Sequence, residues 1–100
     1  MPVISLFVLY QKPQNEETFL DYYRHHHVPL AKTMPGLLSL DWGFPRVVSD
    51  QADWYLVAEM RFQDREKMHA ALNSSEGQAA SRDVETFAAG LVTMRVVEWQ

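Results

Sequence analysis

Three consecutive histidines, His25, His26 and His27, stand in the run Y-Y-R-H-H-H-V-P-L, from Tyr22 to Leu30. Imidazole changes charge near neutral pH, so such a run can bind a metal, move a proton or cap a helix. Chelation from one helix wants ligands at i and i+3 or i+4, because neighbours on a helix point ~100° apart. The three rings therefore fan out. Asp21 and His25 have the right spacing but read as a surface pair. Tyr22 with His26 and Tyr23 with His27 are poor ligand sets, and His69 would have to join from another helix. The spacing argues against a metal centre.

Arg24 and His25 read as cations near a helix C-terminus, a placement that contributes ~0.3–1 kcal/mol each. His26 reads as a histidine at the edge of the core, bonded to a carbonyl, and stands beside His27 as a ligand-contact candidate. His27 lies just before Pro29, at a helix end that opens beside a sheet. Two roles fit it: general acid or base near pH 7, or a hydrogen bond that locks the V-P-L turn.

The elements that must position these residues follow from pattern. Val3–Leu9 is a continuous β-branched and aromatic run, hence a strand, and Lys12-Pro13-Gln14 breaks it. Asn15 caps a helix with Glu16 and Glu17 in its first turn. Phe19, Tyr23, His26 and Leu30 recur at helical spacing, with Leu20, Tyr23 and His27 alongside. Pro29 removes a helical donor and pushes Val28 from the α region, so the helix is expected to end or kink near His26–Val28. A short turn over Pro29–Met34 follows, stopped by Pro35-Gly36.

Leu37–Phe44 and Trp54–Phe62 read as strands joined across the polar loop Val48–Asp53. Asp64 caps a helix to about Leu72. Ser75, with Gln78 three residues later, forms a capping box for a helix to about Ala89. Gly90 ends it, and Leu91–Trp99 is the last strand. The order β-α-β-β-α-α-β is an α+β, ferredoxin-like split βαβ with one extra helix and an antiparallel four-stranded sheet, in one domain over residues 1–100.

Strand parity divides the sheet into two faces. Leu38, Leu40, Trp42 and Phe44, then Trp54, Leu56, Ala58, Met60 and Phe62, then Val92, Met94 and Val96, are expected under the helices. The opposite face is mixed: Val3, Ser5, Phe7, Leu9, Asp41, Tyr55, Val57, Glu59, Leu91, Thr93, Arg95, Val97 and Trp99. Leaving its large apolar side chains in water forfeits on the order of 10 kcal/mol, comparable to the stability of a small domain. Two bare sheet edges add to the problem. A homodimer closing over a shared, partly polar cavity answers both. Asp41, Tyr55, Glu59 and Arg95 are then candidate ligand contacts, Arg95 alternatively pairing with a carboxylate across the seam. Asp83, in mid-helix, reads as a partner for Arg82 or for a neighbouring helix end.

Composition narrows the function. Of 100 residues, 47% are hydrophobic and 22% charged, an ordinary globular balance. A net charge of −4 offers no basic stripe for nucleic acid. The absence of cysteine removes disulfides and thiolate metal sites. The apolar opening M-P-V-I-S-L-F-V-L-Y is too short to span a bilayer and has no basic flank, so a cytoplasmic protein without a membrane partner is expected.

The chain resembles the EthD-like family of dimeric α+β barrel proteins. The resemblance rests on Y-Y-R-H-H-H-V-P-L-A-K-T-M-P-G-L (Tyr22–Leu37), W-Y-L-V-A-E-M-R-F (Trp54–Phe62) and S-S-E-G-Q-A-A-S-R-D-V-E-T-F-A-A-G (Ser74–Gly90). It places the family's characteristic histidine at His27. Ser75 departs from it where many relatives carry proline. The resemblance implies a homodimer that binds or transforms a small hydrophobic or aromatic metabolite. No cofactor is expected, since no G-x-G-x-x-G follows a strand. Two alternatives stand beside this. One is a haem-binding or monooxygenase-type barrel, although Ser75–Ala89 lacks the histidine that haem degraders carry. The other is a ligand-binding or accessory protein with no chemistry.

Overall fold

The computed structural model describes residues 3–48 and 53–100. Strand β1 (Ile4–Tyr10) lies antiparallel between β3 (Leu56–Phe62) and β4 (Val92–Glu98), and β2 (Leu37–Gly43) pairs antiparallel with β3, giving the order β2-β3-β1-β4. Helices α1 (Glu16–Tyr22), α2 (Val28–Ala31), α3 (Arg65–Asn73) and α4 (Ser75–Ala88) complete the ferredoxin-like α+β architecture. The loop expected over Val48–Asp53 falls largely outside the described residues. No helix among the described residues is long and apolar enough to cross a membrane.

Parity carries the core as expected. Ile4, Leu6, Val8 and Tyr10 of β1 and Leu56, Ala58, Met60 and Phe62 of β3 are buried against the helices. Tyr10 anchors the layer, with ring centroids 5.7 Å from Phe19, 5.6 Å from Tyr23 and 6.1 Å from Phe87. Asn15 accepts the Thr18 N–H at 3.0 Å and Asp64 the Lys67 N–H at 2.8 Å, so both caps form where residue type places them.

Several expectations need correction. Of the two outcomes expected near His26–Val28, an end or a kink, the chain does not end: a single π-helical turn over Tyr23–His27 interrupts the regular helix and joins α1 to α2. The Val28 N–H reaches back five residues to the Tyr23 carbonyl, and the chain stays helical through Pro29 to Ala31. The wide turn also explains the buried stripe Phe19, Tyr23, His27, Ala31. Steps of four drift ~40° each on a regular α-helix, and a wider turn cancels that drift.

In β2 the register shifts between Leu37 and Ser39, so Leu37 packs on the core while Leu38 is turned out, 60% exposed. Phe44 lies past the strand end and is half exposed. The α4 cap is Ser74, not Ser75: its extended backbone lets Oγ accept the Gly77 N–H at 3.0 Å while donating to the Ala71 carbonyl. Met94 and Val96 face the helix side as expected but remain half exposed, because β4 is an edge strand.

The open sheet face has its own order. Asp41, Glu59, Phe7 and Arg95 form one register row across the four strands. Ser5 is fully buried there, donating to Glu59 Oε2 at 2.6 Å and accepting the Trp99 indole N–H at 2.7 Å. Two residues expected on this face lie elsewhere. Leu91 precedes β4 and packs against the helix-side core, and Tyr55 precedes β3 and does the same.

Candidate functional site

The helical segment Tyr22–His27 faces α4, and three of its side chains converge on one carboxylate. His27 Nδ1 lies 2.9 Å from Asp83 Oδ2. The Tyr22 hydroxyl donates to Asp83 Oδ1 at 2.5 Å, and His26 Nε2 stands 3.5 Å from the same oxygen. Asp83 and His27 are both buried, whereas His26 keeps 58% of its side chain exposed. A buried carboxylate is costly unless donors surround it, and Tyr22 and His27 are those donors.

Two influences oppose each other at His27. Burial disfavours the imidazolium and the Asp83 carboxylate favours it; burial prevails and holds the pKa below its ordinary value. A neutral ring beside a carboxylate carries its proton on Nδ1 and donates it to Asp83, which leaves Nε2 with a free lone pair. Tyr23 stacks on the imidazole at 5.7 Å and Phe87 packs on it at 4.7 Å, holding its plane. Hydrogen bonding to Asp83 raises the Tyr22 hydroxyl's pKa, and burial pushes Tyr10 and Tyr23 far up, so these phenols stay protonated.

His27 lines a chamber of about 250 Å³ between the sheet and the helices. Its wall is mostly apolar: Leu6, Val8 and Tyr10 from β1, Met60 from β3, Ala31 and Met34 after the π turn, Leu72 from α3, Ala80 and Val84 from α4, and Met94 at the exposed β4 edge. A second, shallower hollow of about 620 Å³ lies on the far side of Tyr22 and Phe87, next to Lys12 and Asn15.

The cavity expected from sequence was a hollow on the open sheet face. The chamber that His27 lines is a separate, partly open one within the protomer, between the sheet and the helices. Of the six candidate residues, only His26 and His27 come together at Asp83; Asp41 and Glu59 are cross-strand neighbours on the opposite face. Asp41 and Arg95 are exposed on the opposite face, where Arg95 donates to the Met94 carbonyl at 2.8 Å. Glu59 accepts from Ser5 and pairs with Arg61 at 3.2 Å. Tyr55 turns to the helix side, edge-on to Phe19 at 6.0 Å and Phe44 at 5.6 Å. The sheet itself separates Asp41, Glu59 and Arg95 from His27. His25 pairs with Asp21 on the surface at 3.7 Å, and Arg24 lies over the Trp42 ring. The described residues contain no cluster of three or more His, Cys, Asp or Glu side chains able to hold a metal.

Sequence reasoning missed Asp83 and Tyr22 as site residues. A signal was present: Ala80, Asp83, Val84 and Phe87 share one helical face at i, i+3, i+4 and i+7, and an aspartate inside an apolar stripe demands a buried donor.

An antiparallel ferredoxin-like sheet, one helix with a π turn and a buried His–Asp pair beside an apolar cavity define the class: a small ferredoxin-like α+β protein. The EthD domain model matches residues 11–90, and the chain belongs to the EthD family. It is 31% identical over 88 residues to an 11.0 kDa protein from the thcB–thcC intergenic region of Rhodococcus erythropolis, covering 87% of this chain and 85% of that protein. An EthD family protein from Bacillus halodurans superposes with a TM-score of 0.86 at 31% identity, over 100% of both chains. A dimeric ferredoxin-like protein of unknown function from Thermobifida fusca shares the fold, with a TM-score of 0.73 at 10% identity over 97% of this chain and 91% of that one.

Proposed function

We propose that the protein binds a small, largely hydrophobic molecule in the chamber under its helices, and that His27 moves a proton on it. The observation that carries this reading is the buried contact of 2.9 Å between His27 Nδ1 and Asp83 at the wall of an apolar cavity of about 250 Å³. A neutral imidazole is a competent base near pH 7. Asp83 sets its tautomer and stabilises the imidazolium that forms when Nε2 takes a proton. Returning that proton to another atom is isomerisation; expelling a leaving group is elimination. Neither step requires a redox cofactor. The water-poor walls strengthen each polar contact made inside.

The open sheet face packs against a second copy in this reading. Phe7, Leu9, Val57 and Val97 are only half-buried there, and the related Thermobifida fusca fold is described as dimeric.

Native mass spectrometry of the purified protein tests both halves, since it reports subunit number and retained ligand together. A dimer carrying a small organic mass supports the reading. A His27→Ala variant is expected to fold and dimerise but to leave that compound unconverted. A retained compound that wild type also leaves unchanged makes the protein a binder without chemistry.

A further inference from the structure

The chamber presents one polar group of fixed sign among few polar groups in all. Three of its lining residues, Tyr10, His27 and Ser81, carry polar side-chain atoms. The two hydroxyls can each donate or accept. The imidazole cannot, because Nδ1 is committed to Asp83 and Nε2 is left as an acceptor. Among the described residues no protein group bonds to Nε2, and no buried side-chain nitrogen or oxygen is sealed away without a partner. His27 is only 7% exposed, so the space that keeps Nε2 unsealed is the chamber it lines. No lysine, arginine, aspartate or glutamate lines that space, and the Asp83 carboxylate stands behind the imidazole.

Resting on the chamber reading above, we infer that the ligand is a neutral molecule with one O–H or N–H donor, given to His27 Nε2, on an apolar body of monocyclic size. An empty space of ~150 Å³ lined by aliphatic side chains accepts benzene. The chamber's 250 Å³ therefore holds one ring with a few substituent atoms. Carboxylates are disfavoured, having no cation to meet and a negative charge nearby. Ethers and hydrocarbons of the same shape fit but leave Nε2 unpaired, which a desolvated acceptor does not tolerate cheaply. His26, half exposed on the outer side of Asp83, does not reach this choice.

Isothermal titration with p-cresol, 4-methylanisole and p-toluate, on wild type and His27→Phe, tests this. In wild type p-cresol is expected to bind about tenfold more tightly than 4-methylanisole, the worth of one buried hydrogen bond, and p-toluate more weakly than either. In His27→Phe the gap between cresol and anisole closes. Equal wild-type affinities overturn the donor requirement while leaving the chamber reading intact. Failure of every probe to bind wild type overturns the chamber reading and this inference with it. Nitrogen-15 spectra of wild type give an answer independent of the variant's folding: Nε2 is expected unprotonated in the free protein and shifted on adding p-cresol. An Nε2–H in the free protein refutes the inference.

Discussion

Gly77→Ala sets helix propensity against packing, and the structure decides the sign. Gly77 sits in the first turn of α4, where alanine is ordinarily the better helix former by ~1 kcal/mol. A Cβ there, however, would stand 2.1 Å from the Ala71 carbonyl oxygen and 2.6 Å from that of Leu72. Both are backbone atoms at the end of α3, and Ala71 O already accepts from the Ser74 N–H and hydroxyl. No side chain can swing aside. The end of α3 must retreat until these contacts exceed 3.0 Å, taking Leu72 away from the chamber wall. Overpacking of this kind costs ~1–3 kcal/mol and more against rigid backbone, so a net loss of ~2–4 kcal/mol is expected. For a chain of 100 residues that lowers Tm by roughly 10–25 °C. Urea and thermal melts followed by circular dichroism measure it. A Tm equal to or above wild type would mean that the two helices do not approach this closely.

Three further outcomes follow from named contacts. Because burial depresses the folded His27 pKa, the unfolded chain takes up its proton first as pH falls; the neutral ring's contribution is full above ~6.5 and drains toward the folded pKa. The stability of wild type relative to His27→Gln should therefore decline on acidification by at most ~1.4 kcal/mol per pH unit in urea melts from pH 7.5 to 5; a growing difference would mean that the Asp83 attraction outweighs burial. Tyr22→Phe removes one donor from Asp83 but leaves His27 in place, so a loss of stability with His27 still protonated on Nδ1 is expected by denaturation and nitrogen-15 spectra. Asp64→Ala should cost ~1 kcal/mol by loss of the cap on Lys67, and Asp64→Asn much less.

Much of the frame was legible because it rests on local chemistry. Alternating apolar residues in Trp54–Phe62 set the β3 face, and Asn15 and Asp64 announced their helices. Two of the errors share a cause: one inserted residue shifts register, and periodicity cannot see where. In β2 the bulge after Leu37 turned Leu38 outward against the extrapolated alternation. In the first helix the π turn kept the chain helical where Pro29 argued for a break. The site was half legible. His27 stood out by type and by its place before Pro29, but its partner lies 56 residues away on another helix, and spacing carries no information over that distance.

Helix register and site geometry meet at the π turn. On a regular α-helix Tyr22 and His26 stack, while His27 points ~100° away from His26. In this protein all three reach Asp83, and His27 also stays on the buried stripe with Tyr23 and Ala31. The turn that absorbs Pro29 is thus also the turn that brings a buried imidazole to a buried carboxylate. Asp83 in turn repays its burial only while the π register persists, because a regular helix would withdraw at least one of its donors. Helix register and charge burial therefore stabilise each other. That mutual dependence holds the His27 ring in place at the chamber wall.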